Sequence, residues 1–547
     1  MRWQVPTDTL RALRDLVIDK IYCYQLVTKL IVKYVHQKMI HQYGLMPSDR
    51  NAPLRQSLRK QWHIWPYVYI ISTITQSPNH QSPITNSMSK SSSSSPFEQE
   101  TELKRDLGVV SATTIIIGGI IGSGIFGAPA DIARQLGNPG LFMLVWIIGG
   151  VMGFTGALCF AELGAMMPRS GGQYVYLKEA YPPIVSFLYG WMDVVLIQSA
   201  GLAAIGVVCT NYLGYFIPIV SPDVSVLSLG PVVVSSQQVV IWILLAFLCF
   251  ANYVGVRFGG LVMNLTTFAK VSALVGLALV AVIVGGGDSS HFMPLIPPDL
   301  DAGIFTLMGP AMIGALFAYQ GWTNTNAVAG EVKDPQKVLP RAIFFGLGLC
   351  TVVYMAVNWT YLYVLSIDEI AASQRVASDV AERLVGPIGG SLISAAVMIS
   401  TFGTMNGILL FSTRIPYAMA RDGLFFKSFG HVHSRYQTPS RAIVAVTIWA
   451  IGWTFLGGFQ DIINAFVYAV YAYFGLNVLA LILLRRKYPD AHRPYKVAGY
   501  PYVPIFFLIV VTWVVITIVA QNFSQALPGL ACLAVGAVVY LVRFRKK

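Results

Sequence analysis

The sequence predicts an all-α polytopic membrane protein with twelve transmembrane helices, and three observations carry that expectation. Of 547 residues, 55% are hydrophobic and only 12% are charged, about half the charged share of an ordinary soluble chain. Apolar runs of about 20 residues, enough to cross a bilayer as a helix, recur twelve times after residue 108. Two of those runs, five spans apart, are interrupted near their middles.

The chain begins differently. Residues 1–87 hold no span-length apolar run, and their eleven Lys/Arg against four Asp/Glu supply +7 of the net +13. A low-complexity start, Met88-Ser-Lys followed by serines, leads into Glu98-Gln-Glu-Thr-Glu. A regulatory tail, a targeting peptide and upstream sequence ahead of a functional start at Met88 are the three readings. Transit peptides avoid acids, and Asp8, Asp15 and Asp19 come early, so the third is preferred. Residues 88–108 then form a short tail.

The spans fall at 109–131, 141–166, 184–209, 238–254, 266–285, 304–327, 340–364, 388–413, 440–457, 462–484, 502–520 and 526–543. With the N-terminus inside, 23 Lys/Arg lie on or near the inner connections and three (Arg134, Arg375, Arg383) on the outer ones. That bias places both termini in the cytoplasm. Pro168-Arg-Ser-Gly-Gly-Gln-Tyr suits a re-entrant or surface-lying segment, and Ser366 to Leu384 one or two short amphipathic helices that form an outer lid.

The first span reads IIIGGIIGSGIFGAPA from Ile115 to Ala130. Each glycine costs about 1 kcal/mol relative to alanine inside a helix, so Gly118, Gly119, Gly122 and Gly124 invite unwinding. Unwound backbone in a bilayer must be buried in protein or line a cavity. Free amides at the start of the second half-helix suit a carboxylate. Close packing through small residues is the competing reading. The sixth span turns from apolar to polar at Gln320-Gly-Trp-Thr-Asn-Thr-Asn326. Broken helices at corresponding places in two halves point to a transporter's binding site. Residues 109–285 and 304–484 then form two halves of inverted topology, with 502–543 outside the repeat.

Away from the outermost positions of the spans, three charged residues fall within them. Glu162 lies near the inner end of the second span, where snorkelling or pairing with a loop is expected. Asp193 in the third and Lys270 in the fifth lie at similar depth and can neutralise each other. Intramembrane charges are functional candidates by default. No CxxC or Cys/His cluster, HExxH or GxxxxGK[ST] is present, so no enzyme activity, metal or other cofactor is expected. The histidines after the spans begin, such as His291 and His431, lie in connections.

Gly122-Ser-Gly-Ile-Phe126, Gly156-Ala-Leu-Cys-Phe-Ala-Glu-Leu-Gly164, Ser170-Gly-Gly-Gln-Tyr174, Phe317-Ala-Tyr-Gln-Gly-Trp322 and Phe402-Gly-Thr-Met-Asn-Gly407 together resemble the amino acid–polyamine–organocation superfamily. The pattern is most similar to its L-type amino acid transporter family and bacterial relatives, and Arg421-Asp-Gly and Arg493-Pro-Tyr-Lys496 add to it. The resemblance implies a leucine-transporter-like fold of 5+5 inverted repeats plus two helices. It implies a substrate carboxylate on Gly122, Ser123 and Gly124, and an amino group on the carbonyls of Ile120 and of Phe317, Ala318 and Tyr319. Phe317 becomes an aromatic gate and Asn406 a pocket residue, while Lys270 takes the place of a coupling sodium ion, as a structural tether or a proton carrier. A neutral Gln320, where some members carry an acid, favours neutral L-amino acids over cationic amino acids or polyamines. The connection Ile217–Gln237 has no cysteine, so no disulfide-linked heavy chain is expected. The expected partners are an amino acid substrate, the bilayer (the plasma membrane) and a proton as coupling ion, with no nucleic acid. A membrane sensor signalling through residues 1–87 and a channel are the rivals from other classes.

Overall fold

The computed structural model describes residues 107–545, apart from 170, 231, 256–258, 299–302, 328 and 522. The extension 1–87, the start at Met88 and the tail up to Asp106 lie outside the described residues. Ten helices are long and apolar enough to cross a membrane, and two shorter apolar ones, Gly303–Ala318 and Ser440–Leu456, accompany them. The ten long helices coincide with expected spans to within about five residues, except that the eighth runs on to Arg421. The two shorter ones lie where the sixth and ninth spans are expected, and the sixth ends at Ala318, well short of residue 327.

The first span is two helices, α1 (Val109–Ile120) and α2 (Gly124–Leu136). Then follow α3 (Pro139–Met166), the short α4 (Gln173–Ala180), and a third span built as α5 (Pro183–Met192), a π-helical turn at Asp193–Ile197 and α6 (Gln198–Leu213). A hairpin of β1 (Ser225–Leu229) and β2 (Val232–Ser235) fills the next connection. The reading by apolar runs missed it, since two strands of four or five residues leave no span-length signal. Next come α7 (Ser236–Val254), α8 (Gly259–Val284), α9 (Gly303–Ala318) and α10 (Pro335–Val364). The expected lid is two short helices, α11 (Ile367–Ala372) and α12 (Val376–Val385). After α13 (Pro387–Ser412), α14 (Arg414–Arg421) and α15 (Ser440–Trp453), the chain closes with α16 (Phe459–Asn464), α17 (Val467–Lys487), α18 (Tyr502–Gln521) and α19 (Phe523–Arg543).

The two broken helices sit at the centre. α10 packs against α3 and α1, α9 against α2, and α13 against α6 and α8. Trp146, Tyr319, Trp322 and Tyr354 are fully buried between them. The outer helices do the reverse: Phe250, Ile283, Ile509 and Val542 point away from the protein and are more than 60% exposed, a surface suited to lipid tails rather than water.

Polar contacts at the ends of the bundle account for several motifs. Glu162 is fully buried, and its role is loop pairing. It accepts from Arg485 Nε at 2.8 Å and from the Val497 amide at 2.7 Å, with Arg493 Nε 3.7 Å away. Asp422 of the Arg-Asp-Gly motif accepts from Tyr174 Oη and Lys178 Nζ, both at 2.7 Å, tying α4 to the end of α14. On the opposite side of the bundle Arg134 at the end of α2 donates to the Ala371 carbonyl at 2.8 Å and so reaches the lid.

Candidate functional site

Helix α1 stops because the backbone turns at Ile121 (φ −73°, ψ 86°), where the Gly122 amide folds back onto the Ile120 carbonyl at 2.8 Å. Helix α2 starts again at Gly124. Among the described residues the amides of Ser123, Gly124 and Ile125 make no backbone hydrogen bond. They are the orphan donors of a helix N-terminus, reinforced by its dipole. Helix α9 ends in the same way. The Gln320 amide bonds the Phe317 carbonyl at 3.1 Å, and Gly321 takes φ +123°, a conformation L side chains rarely adopt.

The two breaks press against each other. A Cβ on Gly124 would lie 2.3 Å from Ala318 Cα, and one on Gly321 would lie 2.5 Å from the Gly119 carbonyl. The close-packing reading of the glycine-rich stretch therefore holds at Gly124, and beside it three amides make no backbone hydrogen bond among the described residues.

The loose carbonyls are held by two side chains. Lys270, 1% exposed, donates to the carbonyls of Gly118 (2.9 Å) and Ile121 (2.6 Å) and to Thr404 Oγ1 (3.0 Å). Three acceptors match the three donors of an ammonium. Tyr354 Oη lies 2.8 Å from the Ile120 carbonyl and 3.0 Å from that of Ala318, bridging the two broken helices with one proton to share. Tyr354 was missed by the sequence reading. Its only signal is a hydroxyl in the middle of an apolar run, which the neighbouring tyrosines share.

A cavity of about 80 Å³ opens at the breaks. Ile120, Gly122, Ser123 and Gly124 line it from the first span, and Phe317 and Gln320 from the sixth. Ser123 Oγ and Gln320 Oε1 are buried without a hydrogen-bond partner among the described residues. Phe317 is packed edge-on by Phe459 and Phe466, centroids 5.4 and 6.0 Å away. The cavity runs past Gln173 and Thr323 into a second cavity of about 40 Å³ bordered by Phe411 and Ile415.

Two expectations are corrected, for Asn406 and for the pairing of Asp193 with Lys270. The side chains of Ala318 and Tyr319 lie outside the cavity lining, Ala318 abutting Gly124 and the Tyr319 ring packing on Gly149 and Gly150 of α3. The expectation for these residues concerned their backbone carbonyls, and that of Ala318 lies 3.0 Å from Tyr354 Oη. Asn406 is turned away and accepts from Asn252 Nδ2 at 2.8 Å, while Thr404 and Ile408 supply that wall from α13. Helical geometry decides this, because residues two apart on one helix do not share a face. Asp193 and Lys270 do not neutralise each other. Lys270 donates to the first span and to Thr404, whereas Asp193 lines the cavity and, among the described residues, accepts a single hydrogen bond, from Gln198 Nε2 at 2.9 Å.

Among the described residues no cluster of three His, Cys, Asp or Glu can hold a metal. A polar cavity at two facing helix breaks, inside a bundle of membrane-length helices, defines an integral membrane transporter of small solutes. The amino acid permease family matches residues 107–541, and the chain belongs to that family. It is 32% identical over 452 residues to the serine/threonine exchanger SteT of Bacillus subtilis, covering 82% of this chain and 99% of the relative. It is 31% identical over 402 residues to the human b(0,+)-type amino acid transporter 1, covering 73% of this chain and 79% of the relative. With the rat large neutral amino acids transporter small subunit 2 it shares 33% identity over 448 residues, 80% of this chain and 81% of the relative. These relatives are transporters, not enzymes.

Proposed function

We propose that this permease carries neutral L-amino acids across the plasma membrane by alternating access, as an exchanger or a proton symporter. The observation that carries the reading is the pair of facing breaks. The free amides of Ser123, Gly124 and Ile125 suit an α-carboxylate, and the carbonyls of Ile120 and Ala318, already oriented by Tyr354, suit an α-ammonium a short distance away. Such a site reads what all amino acids share and leaves the side chain to the rest of the cavity. Gln320 supplies a neutral polar group there. The names of two relatives agree, one a serine/threonine exchanger and one a transporter of large neutral amino acids.

In this account residues 109–285 and 304–484 are inverted repeats, 502–543 stand outside them, and the twelve spans leave both termini in the cytoplasm. The cavity is then closed on the outside by Phe317, Phe459 and Phe466 and continues inward past Gln173. Lys270 is the tether that keeps the first span open at its break. One relative is named a small subunit. A companion of this chain would have to associate without a disulfide in the connection 217–237, which has no thiol.

Uptake of a panel of labelled amino acids into proteoliposomes, with and without a pH gradient and with and without internal amino acid, tests the proposal. Stimulation by internal substrate marks exchange, and stimulation by the gradient marks proton symport. No uptake of any amino acid under either condition rejects both. Expression from Met88 with full uptake discards the sensor reading.

A further inference from the structure

Helix α19 comes closest to its neighbours at two glycines. A Cβ on Gly529 would lie 2.4 Å from the Ala465 carbonyl, and one on Gly536 would lie 2.5 Å from the Trp191 ring. Between these two points α19 leaves a cleft against α5, α17 and α18. Its volume is about 360 Å³, against about 80 Å³ for the cavity at the breaks. Leu188, Leu476, Val515, Val519, Leu530 and Leu533 are among the residues that line it.

The donors beside the cleft are engaged by backbone. Tyr468 Oη donates to the Ala526 carbonyl at 2.9 Å, Trp191 Nε1 to that of Cys532 at 2.9 Å, and Tyr181 Oη to that of Leu476 at 2.8 Å. The cleft is left with almost no polar surface. The six lining residues named above are only half-buried. Beside them Ile516, Leu527 and Val535 are more than half exposed, so the cleft opens on the surface that this membrane protein turns to lipid. An apolar space of about 150 Å³ already stays dry and admits benzene. A space more than twice that size leaves its walls short of contacts unless something apolar fills it, and the surrounding bilayer supplies hydrocarbon chains. A sterol would also bring a hydroxyl for which the cleft has no partner. An acyl chain needs none.

One residue joins the cleft to the breaks. Tyr473 of α17 borders both spaces, and its ring packs edge-on against Tyr189, which also lines the cavity at the breaks, with centroids 5.2 Å apart. We propose that the cleft holds one acyl chain of a membrane phospholipid, and that this chain, by bearing on Tyr473, tightens substrate binding at the breaks. The acyl-chain site stands on the cleft alone, and its effect on substrate rests on the amino acid site proposed above. A filled cleft supports the Tyr473 ring from behind, and an empty one lets the ring leave the cavity wall.

The test uses the purified full chain in nanodiscs containing a phosphatidylcholine with a photoactivatable diazirine midway along one acyl chain. After irradiation, adducts are mapped by mass spectrometry. Adducts at Leu188, Leu476, Leu530 and Leu533 should exceed those at Phe250 and Ile283, which also face lipid, by about ten-fold, since burying even a couple of methylenes is worth that much. Ala472→Phe and Val519→Phe each fill the cleft, and in variants that keep the wild-type melting temperature its adducts should fall to the level at Phe250. Leucine binding is then titrated in detergent with and without added phosphatidylcholine. The lipid should tighten binding by about five-fold or more in the wild type, the lower end of coupling between two sites, and should change nothing in the filled variants. Cleft adducts no more frequent than those at Phe250 overturn the site. So does a photoactivatable cholesterol that labels the cleft and displaces the phospholipid probe, and so does a dimer joined through α19 that both substitutions dissociate. Leucine affinity indifferent to lipid in a wild type with a labelled cleft overturns the role of Tyr473. If the wild type binds no amino acid while its cleft is labelled, the permease site is what fails and the acyl-chain site stands.

Discussion

Lys270 and Asp193 are both ionisable, both 1% exposed and both inside the helix bundle, yet their surroundings are opposite. The three donors of Lys270 meet three acceptors from α1, the break after it and α13. Among the described residues Asp193 has one of its two oxygens satisfied, by a neighbour five residues away on its own span, and the other buried without a hydrogen-bond partner. A saturated buried charge holds architecture in place. An unsaturated one holds less of it. Depth in the membrane and residue type, which are what a sequence displays, are the same for both and do not distinguish these surroundings.

The largest effect that sharpens the contrast is expected from Lys270→Met. It removes three hydrogen bonds and leaves each buried acceptor at a cost of about 1–3 kcal/mol, so the break should close up and uptake should fall by about a hundred-fold or more. Lys270→Arg keeps a charge that cannot be released. Retained exchange in that variant, without accumulation on a pH gradient, would make the lysine a proton carrier as well as a tether. Normal uptake by Lys270→Met would end both roles. Tyr354→Phe removes a single shared donor from Ile120 and Ala318, and a rise in KM of about five- to ten-fold is expected, in line with about 1 kcal/mol for one hydrogen bond.

Next come the glycine and serine of the first break, which separate packing from binding. Gly124→Val places a side chain against the Ala318 backbone, and overpacking of this kind costs about 1–3 kcal/mol or more. Both transport and the melting temperature should drop. Ser123→Leu instead fills the cavity, and it should stop transport in protein that remains folded. Equal thermal loss in both variants would mean that Ser123 is a packing residue too.

Gln320 gives a smaller, directional change. Gln320→Glu adds an acid at the cavity and should shift competition toward lysine and arginine, while Gln320→Gly enlarges the space and should favour bulkier neutral side chains. An unchanged ranking in both would remove Gln320 from substrate contact.

The smallest effect lies in the lid, outside the membrane. The Glu369 carboxyl is held below its ordinary value by the Ser366 backbone amide first, and by Arg383 at 2.7 Å. A carboxyl with a depressed value stabilises the fold above its unfolded titration. That contribution is therefore complete at neutral pH and is lost as pH falls through and below 4.5. Because the pair is exposed, Glu369→Gln should cost at most about 1 kcal/mol, visible as a slightly lower melting temperature at pH 7 and a difference that shrinks steadily as the solution is acidified below 4.5.

The spans and the two interruptions were legible in the sequence because both are one-dimensional signals, an apolar run and a polar, glycine-rich gap within it. Gly122, Ser123, Gly124 and Gln320 at the cavity followed from the same signal, Ile120 and Phe317 from the family resemblance. Contacts between elements were not legible. Ser225–Leu229 and Val232–Ser235 are too short to register against neighbouring apolar runs. Tyr354 resembles Tyr361 and Tyr363 on the same helix until its hydroxyl is seen to bridge two breaks. The Asn406 expectation failed on rotation about the α13 axis, and the pairing of Asp193 with Lys270 failed because similar depth does not fix direction.

The most direct test of the central claim is a binding titration of the purified full chain with leucine, leucinamide and N-acetyl-leucine. If the breaks read the α-carboxylate and α-ammonium, both modified compounds should bind at least about a hundred-fold more weakly than leucine, since each removes one charge-assisted contact set. Either analogue binding as tightly as leucine would contradict the account.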